Sequence, residues 1–457
     1  MKTNLLAAAL VLLVGAALSL KAGIHWGVAD AYSQDLVPHL HQTIEADRRP
    51  HRSPTATPTA SPTLTPPPTP TPTATITPTF TASPSPSPSP TPTATNTPDC
   101  LSWGLDDATG ANSSRAYGIA VNAQGYSVVA GYDFDVTRSN MHTVKYDDLG
   151  NSLWARDDTT GTNSRGIGAA FDPAGNVSVA GYQYNGSRYL FYTVHYNASG
   201  TFQWSALEST GTASEANGVA TDGSANVFVT GYYDTASRPN GVTRTDAYDS
   251  GGHLKWTADD LSGTASVGYG VATDSSGDVV VTGAVTNATR TYTMHTVKYD
   301  SSGNTLWAEE DSSGVQSWGQ GVAVDSSGNV VVTGMYDNGS RLVSRTIKYD
   351  GSGNVQWATD DSAGISSQGG GVAVDGAGNV VVTGQYGTTP HPAAIMHTIW
   401  LNGSNGNPVG SPIDDNSGTD CQGLGVGIDA SGGVVGAGFY DTGVRNGTIR
   451  VVRYPGC

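Results

Sequence analysis

Residues 321–361 read GVAVDSSGNVVVTGMYDNGSRLVSRTIKYDGSGNVQWATDD. Four short runs rich in valine, threonine and aromatic residues stand between turn residues, and each predicts a β-strand. Asp325-Ser-Ser-Gly-Asn329 joins the first two runs, and Asp350-Gly-Ser-Gly-Asn354 joins the last two. Asp opens such a turn by bonding its own backbone, and Gly takes the left-handed position that closes the hairpin. The unit is therefore a four-stranded meander that begins at Gly321-Val-Ala-Val. Its opening block recurs at Gly118, Gly168, Gly218, Gly270 and Gly371, and in weaker form at Gly425. One twisted four-stranded sheet cannot bury both of its faces, whereas seven packed face to face around an axis can.

The last unit ends after its third strand, Val451–Tyr454. The missing fourth strand stands at the front, where Leu101–Asp107 matches it. The predicted fold is all-β: a seven-bladed β-propeller of four-stranded antiparallel blades over 99–457, its ring closed by the N-terminal strand. Closure removes an open sheet edge.

The blocks G-x-A-V-D-x-x-G-N-V and Tyr-Asp-x-x-Gly-Asn-x-Leu-Trp resemble the bacterial beta-propeller repeat (SBBP-type) family from Cys100 to Cys457. That resemblance implies the propeller fold and an extracytoplasmic setting, and implies no particular activity. The second block also looks like the tryptophan-docking motif of quinoprotein propellers, which implies a Trp wedged against the next blade. Trp103, Trp154, Trp204, Trp256, Trp307 and Trp357 hold this place, and the sixth blade has Gly410 near it.

Upstream, residues 1–21 carry an apolar run from Leu5 to Leu20 between Lys2 and Lys21, which predicts a signal peptide or membrane anchor. Residues 22–52 are polar and without pattern. Residues 53–98 are almost all Pro, Thr, Ser and Ala, with 15 prolines. This composition cannot form a core and predicts an extended stalk. The expected location is exported, extracellular or attached to the cell surface.

Lys and Arg total 22 against 39 Asp and Glu, giving a net charge of −17. Five of each sign precede residue 100, so the whole excess lies in the repeats. Such a surface repels nucleic acid and anionic membranes. The expected partners are a protein or a polysaccharide, with membrane contact only through the N-terminal anchor.

Cys100 and Cys457 flank the one broken hairpin, so a disulfide between them would replace the missing turn. Cys421 stands where the other units have Ser114, Ser164, Ser214, Ser266, Ser317 and Ser367, four residues before the repeat glycine. It reads as a small buried substitute and not as a nucleophile.

Two repeated features converge on one face. An acidic pair ends the fourth strand: Asp106-Asp107, Asp157-Asp158, Asp259-Asp260, Glu310-Asp311, Asp360-Asp361 and Asp414-Asp415, with Glu208 alone in the second unit. A cation follows the second strand: Arg138, Arg188, Arg238, Arg290, Arg341 and Arg445, with His391 in the sixth unit. The plain expectation is a set of structural salt bridges. The alternatives are a carboxylate ring binding Ca²⁺ and an arginine ring binding anionic sugars, but no calcium loop is present, so no metal and no cofactor is assigned. The histidines of three Met-His-Thr pieces, at Met141, Met294 and Met396, belong to different blades and are expected to lie apart.

Recognition of an asymmetric ligand needs positions where the units differ. The residue before each repeat glycine differs most: Tyr117, Ile167, Asn217, Tyr269, Gln320, Gly370 and Leu424. Arg115, Arg165, Glu215, Val267, Trp318, Gln368 and Gln422 vary nearby. The candidate binding residues at the channel mouth are Tyr117, Asn217, Tyr269, Trp318 and Gln320. The acidic pair and the next repeat glycine stay 10 or 11 positions apart throughout. A propeller enzyme is expected to break symmetry with long inserts. The sequence therefore favours a non-catalytic binding or scaffold module over a polysaccharide-acting enzyme or a purely structural surface protein.

Overall fold

Each D-x-x-G-N pentapeptide closes its hairpin through the aspartate. Asp325 Oδ1 accepts the backbone N–H groups of Ser327 and Asn329, both at 2.9 Å, and Oδ2 accepts Asn329 Nδ2 at 2.8 Å. Gly328 completes the turn at φ 80°. Asp350 and Asn354 repeat the arrangement in the second hairpin of the same blade. These turns set the register of blade five: Gln316–Val324, Val330–Asp337, Leu342–Tyr349 and Val355–Asp361, antiparallel and in sequential order.

The computed structural model describes residues 103–107, 113–135, 137–289, 291–388, 394–418, 420–441 and 447–454. The predicted signal or anchor, the 22–52 segment, the stalk and the Cys100–Cys457 pair lie outside these residues. Within them, the strands form seven four-stranded antiparallel sheets, a seven-bladed β-propeller. The seventh blade takes Asp420–Ile428, Val434–Asp441 and Thr448–Tyr454 from the C-terminal end and Trp103–Asp107 from the N-terminal end. The closing strands pair from Trp103↔Arg453 to Asp107↔Ile449.

The core is divided among the seven blade boundaries. Met141 and Trp154 of blade one pack with Val179 and Tyr192 of blade two, and Val129 and Val144 of blade one pack with Val435 and Val451 of blade seven. The tryptophan wedge appears as expected. Trp154, Trp307 and Trp357 donate their indole N–H to a hairpin carbonyl of the following blade, each at 3.1 Å. The ring lies on the hairpin glycine, so a Cβ at Gly200 would come within 2.7 Å of Trp154. Blade six differs: its fourth strand is only Ile413–Asp415. There Trp400, on the third strand, takes over and meets Tyr454 of blade seven edge-on at 6.3 Å.

The first strand begins earlier than the repeat glycine. In blade five it starts at Gln316, five residues before Gly321, and contains a β-bulge between Gly319 and Gly321. Every blade has this bulge immediately before its repeat glycine. It crowds the second strand, where the bulged backbone leaves no room for a side chain. A Cβ at Gly131, Gly181, Gly231, Gly283, Gly334, Gly384 or Gly438 would meet a first-strand carbonyl at 1.7–2.0 Å. The glycine of each Val-Thr-Gly segment is thus dictated by the bulge opposite it. The repeat glycine has a separate cause. Successive first strands pack side by side around the axis, and a Cβ at Gly321 would lie 2.9 Å from the carbonyl oxygen of Gly370 in the next blade.

Candidate functional site

Among the described residues, the acidic pairs do not bind the arginines that the sequence pairs with them. Arg188 donates to the carbonyls of Ser209 and Gly211, Arg238 to Leu261, and Arg341 to Ser362 and Gly364. These arginines hold the link into the next blade by its backbone. Arg138 alone among them has a carboxylate, its own loop's Asp135, at 3.5 Å. Arg290, Arg445 and His391 lie outside the described residues.

The acids instead meet a column on the third strand: His142, Tyr192, Arg244, His295, Arg345, His397 and Arg450. Strand register places each of these except Tyr192 opposite the first acid of its own blade, as in Arg345↔Asp360. The same side chain also reaches the second acid of the preceding blade. Arg345 lies 2.6 Å from both Asp360 and Asp311. Arg450 spans Asp106 at 3.0 Å and Asp415 at 2.9 Å, and Arg244 spans Asp259 at 2.9 Å and Glu208 at 3.4 Å. His397 takes Asp361 on Nε2 and Asp414 on Nδ1. Burial alone would lower the His397 pKa, but the two carboxylates outweigh it and push it up to about 9. Blade two has Leu207 at the first acid position and Tyr192 in the column. A neutral hydroxyl replaces the cation where one carboxylate is missing, and it donates to Asp158 at 2.6 Å. The ring of carboxylates is therefore an inter-blade latch. The signal for it in the sequence is a repeated column, one residue before threonine in six units, whose identity changes while its ability to donate does not.

The serine column is structural as well. Ser164 Oγ accepts the Met141 N–H at 2.9 Å and donates to the Asp158 carbonyl at 2.8 Å. Cys421 occupies the equivalent place, fully buried and unbonded to another cysteine. Burial pushes its thiol up to about 12, which suits a space-filling role.

The variable columns lie on the first strands, next to the axis. The residue before each repeat glycine is the extra residue of the bulge, which lifts it out of the ladder. Ile167, Asn217, Tyr269, Gln320, Gly370 and Leu424 are half-buried there, and Tyr117 is buried. Asn217 Nδ2 donates across the boundary to the Gly268 carbonyl at 2.8 Å. Trp318 does not share this position. It belongs to the second column, which packs toward the preceding blade, and lies 5.6 Å from Tyr292.

Blades one to three differ from the rest in this second column. Arg165 lies over the Tyr132 ring at 4.4 Å, and Arg115 lies over Phe439 at 4.4 Å. Tyr117 stacks on Tyr132 at 6.1 Å, and Tyr182 meets Tyr189 edge-on at 5.1 Å. Into this aromatic sector the third blade inserts Glu215, 1 % exposed, whose Oε1 has no hydrogen-bond partner. Burial raises its carboxyl to about 8, against the attraction of Arg165. Asp234 is also raised by burial, to about 6. Blades four to seven carry Val267, Trp318, Gln368 and Gln422 in the same column, with no charge among them. A buried acid raised this far beside an arginine and a cluster of tyrosines marks a candidate site.

No family model matches the chain, and no curated protein matches it. Solved structures share its fold at low identity. A chain of a mitotic checkpoint complex is 12% identical, with a TM-score of 0.50, covering 83% of this chain and 99% of its own. The β-propeller domain of the trilobed protease from Pyrococcus furiosus is 10% identical, with a TM-score of 0.45, covering 74% and 93%. An ulvan lyase bound to a GlcA–Rha3S saccharide is 9% identical, with a TM-score of 0.45, covering 75% and 94%. At such identities the likeness concerns the fold alone.

Proposed function

We propose that this chain is an exported member of the bacterial beta-propeller repeat family and that its propeller is a non-catalytic binding module at the cell surface. The N-terminal run carries it out of the cytoplasm, and the 53–98 stalk spaces the propeller from the envelope. The ligand is a polysaccharide held at the axial mouth of blades one to three. One observation carries this reading: a ring built from near-identical units gathers tyrosines, Arg165 and a buried Glu215 into a single sector. The half-buried Tyr189 offers a ring face to a sugar, while Arg165 and Asn217 offer hydrogen bonds beside it. The acidic surface disfavours polyanionic chains, so a neutral or amino-bearing glycan fits best.

Thermal melting of the full chain against a panel of neutral, basic and acidic polysaccharides tests the proposal, because a ligand that binds only the folded state raises the melting temperature. The expected result is a shift with a neutral or basic glycan that Arg165→Ala and Asn217→Ala both abolish. Absence of any shift across the panel would overturn the polysaccharide reading in favour of a protein partner.

A further inference from the structure

In blades four and six, each latch histidine has one acid on each ring nitrogen. His295 meets Asp260 through Nε2 and Glu310 through Nδ1, and His397 meets Asp361 through Nε2 and Asp414 through Nδ1. Blade one sets two acids on one ring nitrogen. His142 Nδ1 lies 2.5 Å from Asp157 Oδ1 and 3.3 Å from Asp133 Oδ2. Two carboxylates converge on one nitrogen, and the single proton it can carry serves one of them at a time.

The extra acid is specific to this blade. The place of Asp133 is taken by Tyr233, Tyr336, Tyr386 and Tyr440 in blades three, five, six and seven. Those hydroxyls donate to the first acid of their own blades, at 2.8–3.1 Å. At Asp133 a second carboxylate replaces that donor. The latch column differs too: blades three, five and seven place an arginine where blade one has His142, and an arginine is a permanent cation that cannot ligate a metal. Blade one therefore combines the one added carboxylate with a side chain able to coordinate.

From this geometry we infer that Asp133, His142 and Asp157 form a binding site for a single first-row divalent transition-metal ion of the zinc type. The three donor atoms lie within 4.8 Å of one another. Donors about 2.1 Å from a tetrahedral ion stand about 3.4 Å apart, and the His142–Asp133 separation of 3.3 Å already meets this. Asp157 is too close to His142 for an ion to enter, and it is also the carboxylate free to move. Its side chain is 35 % exposed, against 4 % for His142 and 11 % for Asp133. A swing of about 1 Å brings it to coordination distance. The imidazole selects against calcium and magnesium, which prefer oxygen donors throughout. Two rigid ligands and one mobile one leave a fourth position on the solvent side for water or for a donor of a bound molecule.

The test is isothermal titration of the full chain, stripped with EDTA, with zinc chloride and in parallel with calcium chloride. One saturable zinc site per chain is expected, with no calcium response. Asp133→Tyr and His142→Arg each install the residue that other blades carry at that position, so both are expected to fold and melt cooperatively. Each is expected to weaken zinc binding at least about 100-fold, beyond the loss typical of removing an outer-shell partner. Absence of saturable zinc binding in the wild-type chain would overturn the inference. So would undiminished affinity in either folded variant, or a calcium site that survives His142→Arg. If one variant does not fold, the other decides.

Discussion

Two of the regions in which the propeller buries charge are treated in opposite ways. In the latch around the third strands, a cation or hydroxyl is matched to one or two acids, and where Leu207 removes an acid, Tyr192 removes the cation. In the axial sector of blades one to three, Glu215 is enclosed with one carboxyl oxygen unbonded and Arg165 as its only opposing charge. A repeated blade multiplies any uncompensated charge sevenfold, so the repeated column must be balanced within itself. A residue that occurs once is free of that constraint. Compensation thus separates structural charge from charge kept at a cost to stability.

The most severe way to break the contrast is to unbalance the latch. Arg450 is 4 % exposed and Asp415 is 5 % exposed. Arg450→Ala leaves Asp415 buried without its cation, and we expect a loss of about 3–5 kcal/mol in chemical denaturation. The axial acid should respond in the other direction. Glu215 has a folded pKa of about 8 against an ordinary value of 4.5. Its contribution to stability is complete below about pH 4.5 and is lost as the pH rises toward 8, because the unfolded chain ionises first. Glu215→Gln is expected to flatten that slope and to stabilise the protein by about 3 kcal/mol at pH 7. A melting profile against pH checks this, and an unchanged slope would assign the carboxyl to the compensated class. The smallest effect is expected at the loop arginines. Arg341 serves exposed backbone carbonyls of Ser362 and Gly364, so Arg341→Ala should cost only about 1 kcal/mol. A loss as large as that of Arg450→Ala would mean that the loop arginines share the latch.

Much of this architecture is legible in the sequence because hairpin chemistry is local. Asp325 and Asn329 specify their turn by themselves, and Leu101–Asp107 can be matched to the absent fourth strand without coordinates. Ser164 and Cys421 also align by position alone. The latch is not legible in the same way. His142, Tyr192 and Arg244 look like drift until strand pairing sets each opposite the same acidic position. The arginines between the second and third strands form the more regular column of cations in the sequence, but their reach ends at carbonyls of the following link. The early start of the first strand is hidden because the bulge interrupts the alternation that marks a strand. Trp400 replaces the missing wedge from a different strand, which no alignment of the fourth strands reveals.

The closing pairs between Trp103–Asp107 and Thr448–Tyr454 bear on how the molecule comes apart. A linear array of repeats frays from its termini, where each end unit has one neighbour. A circle has no end unit, and every blade here is gripped on both sides. Among the described residues, the ring is closed by a five-residue strand whose backbone bonds, Leu105 and Asp106 hold it to its neighbours. Unzipping that strand converts the circle into a line with two exposed ends. The barrier to this single event sets the lifetime of the whole fold, so a protease or a heating ramp should find one point of entry and not seven.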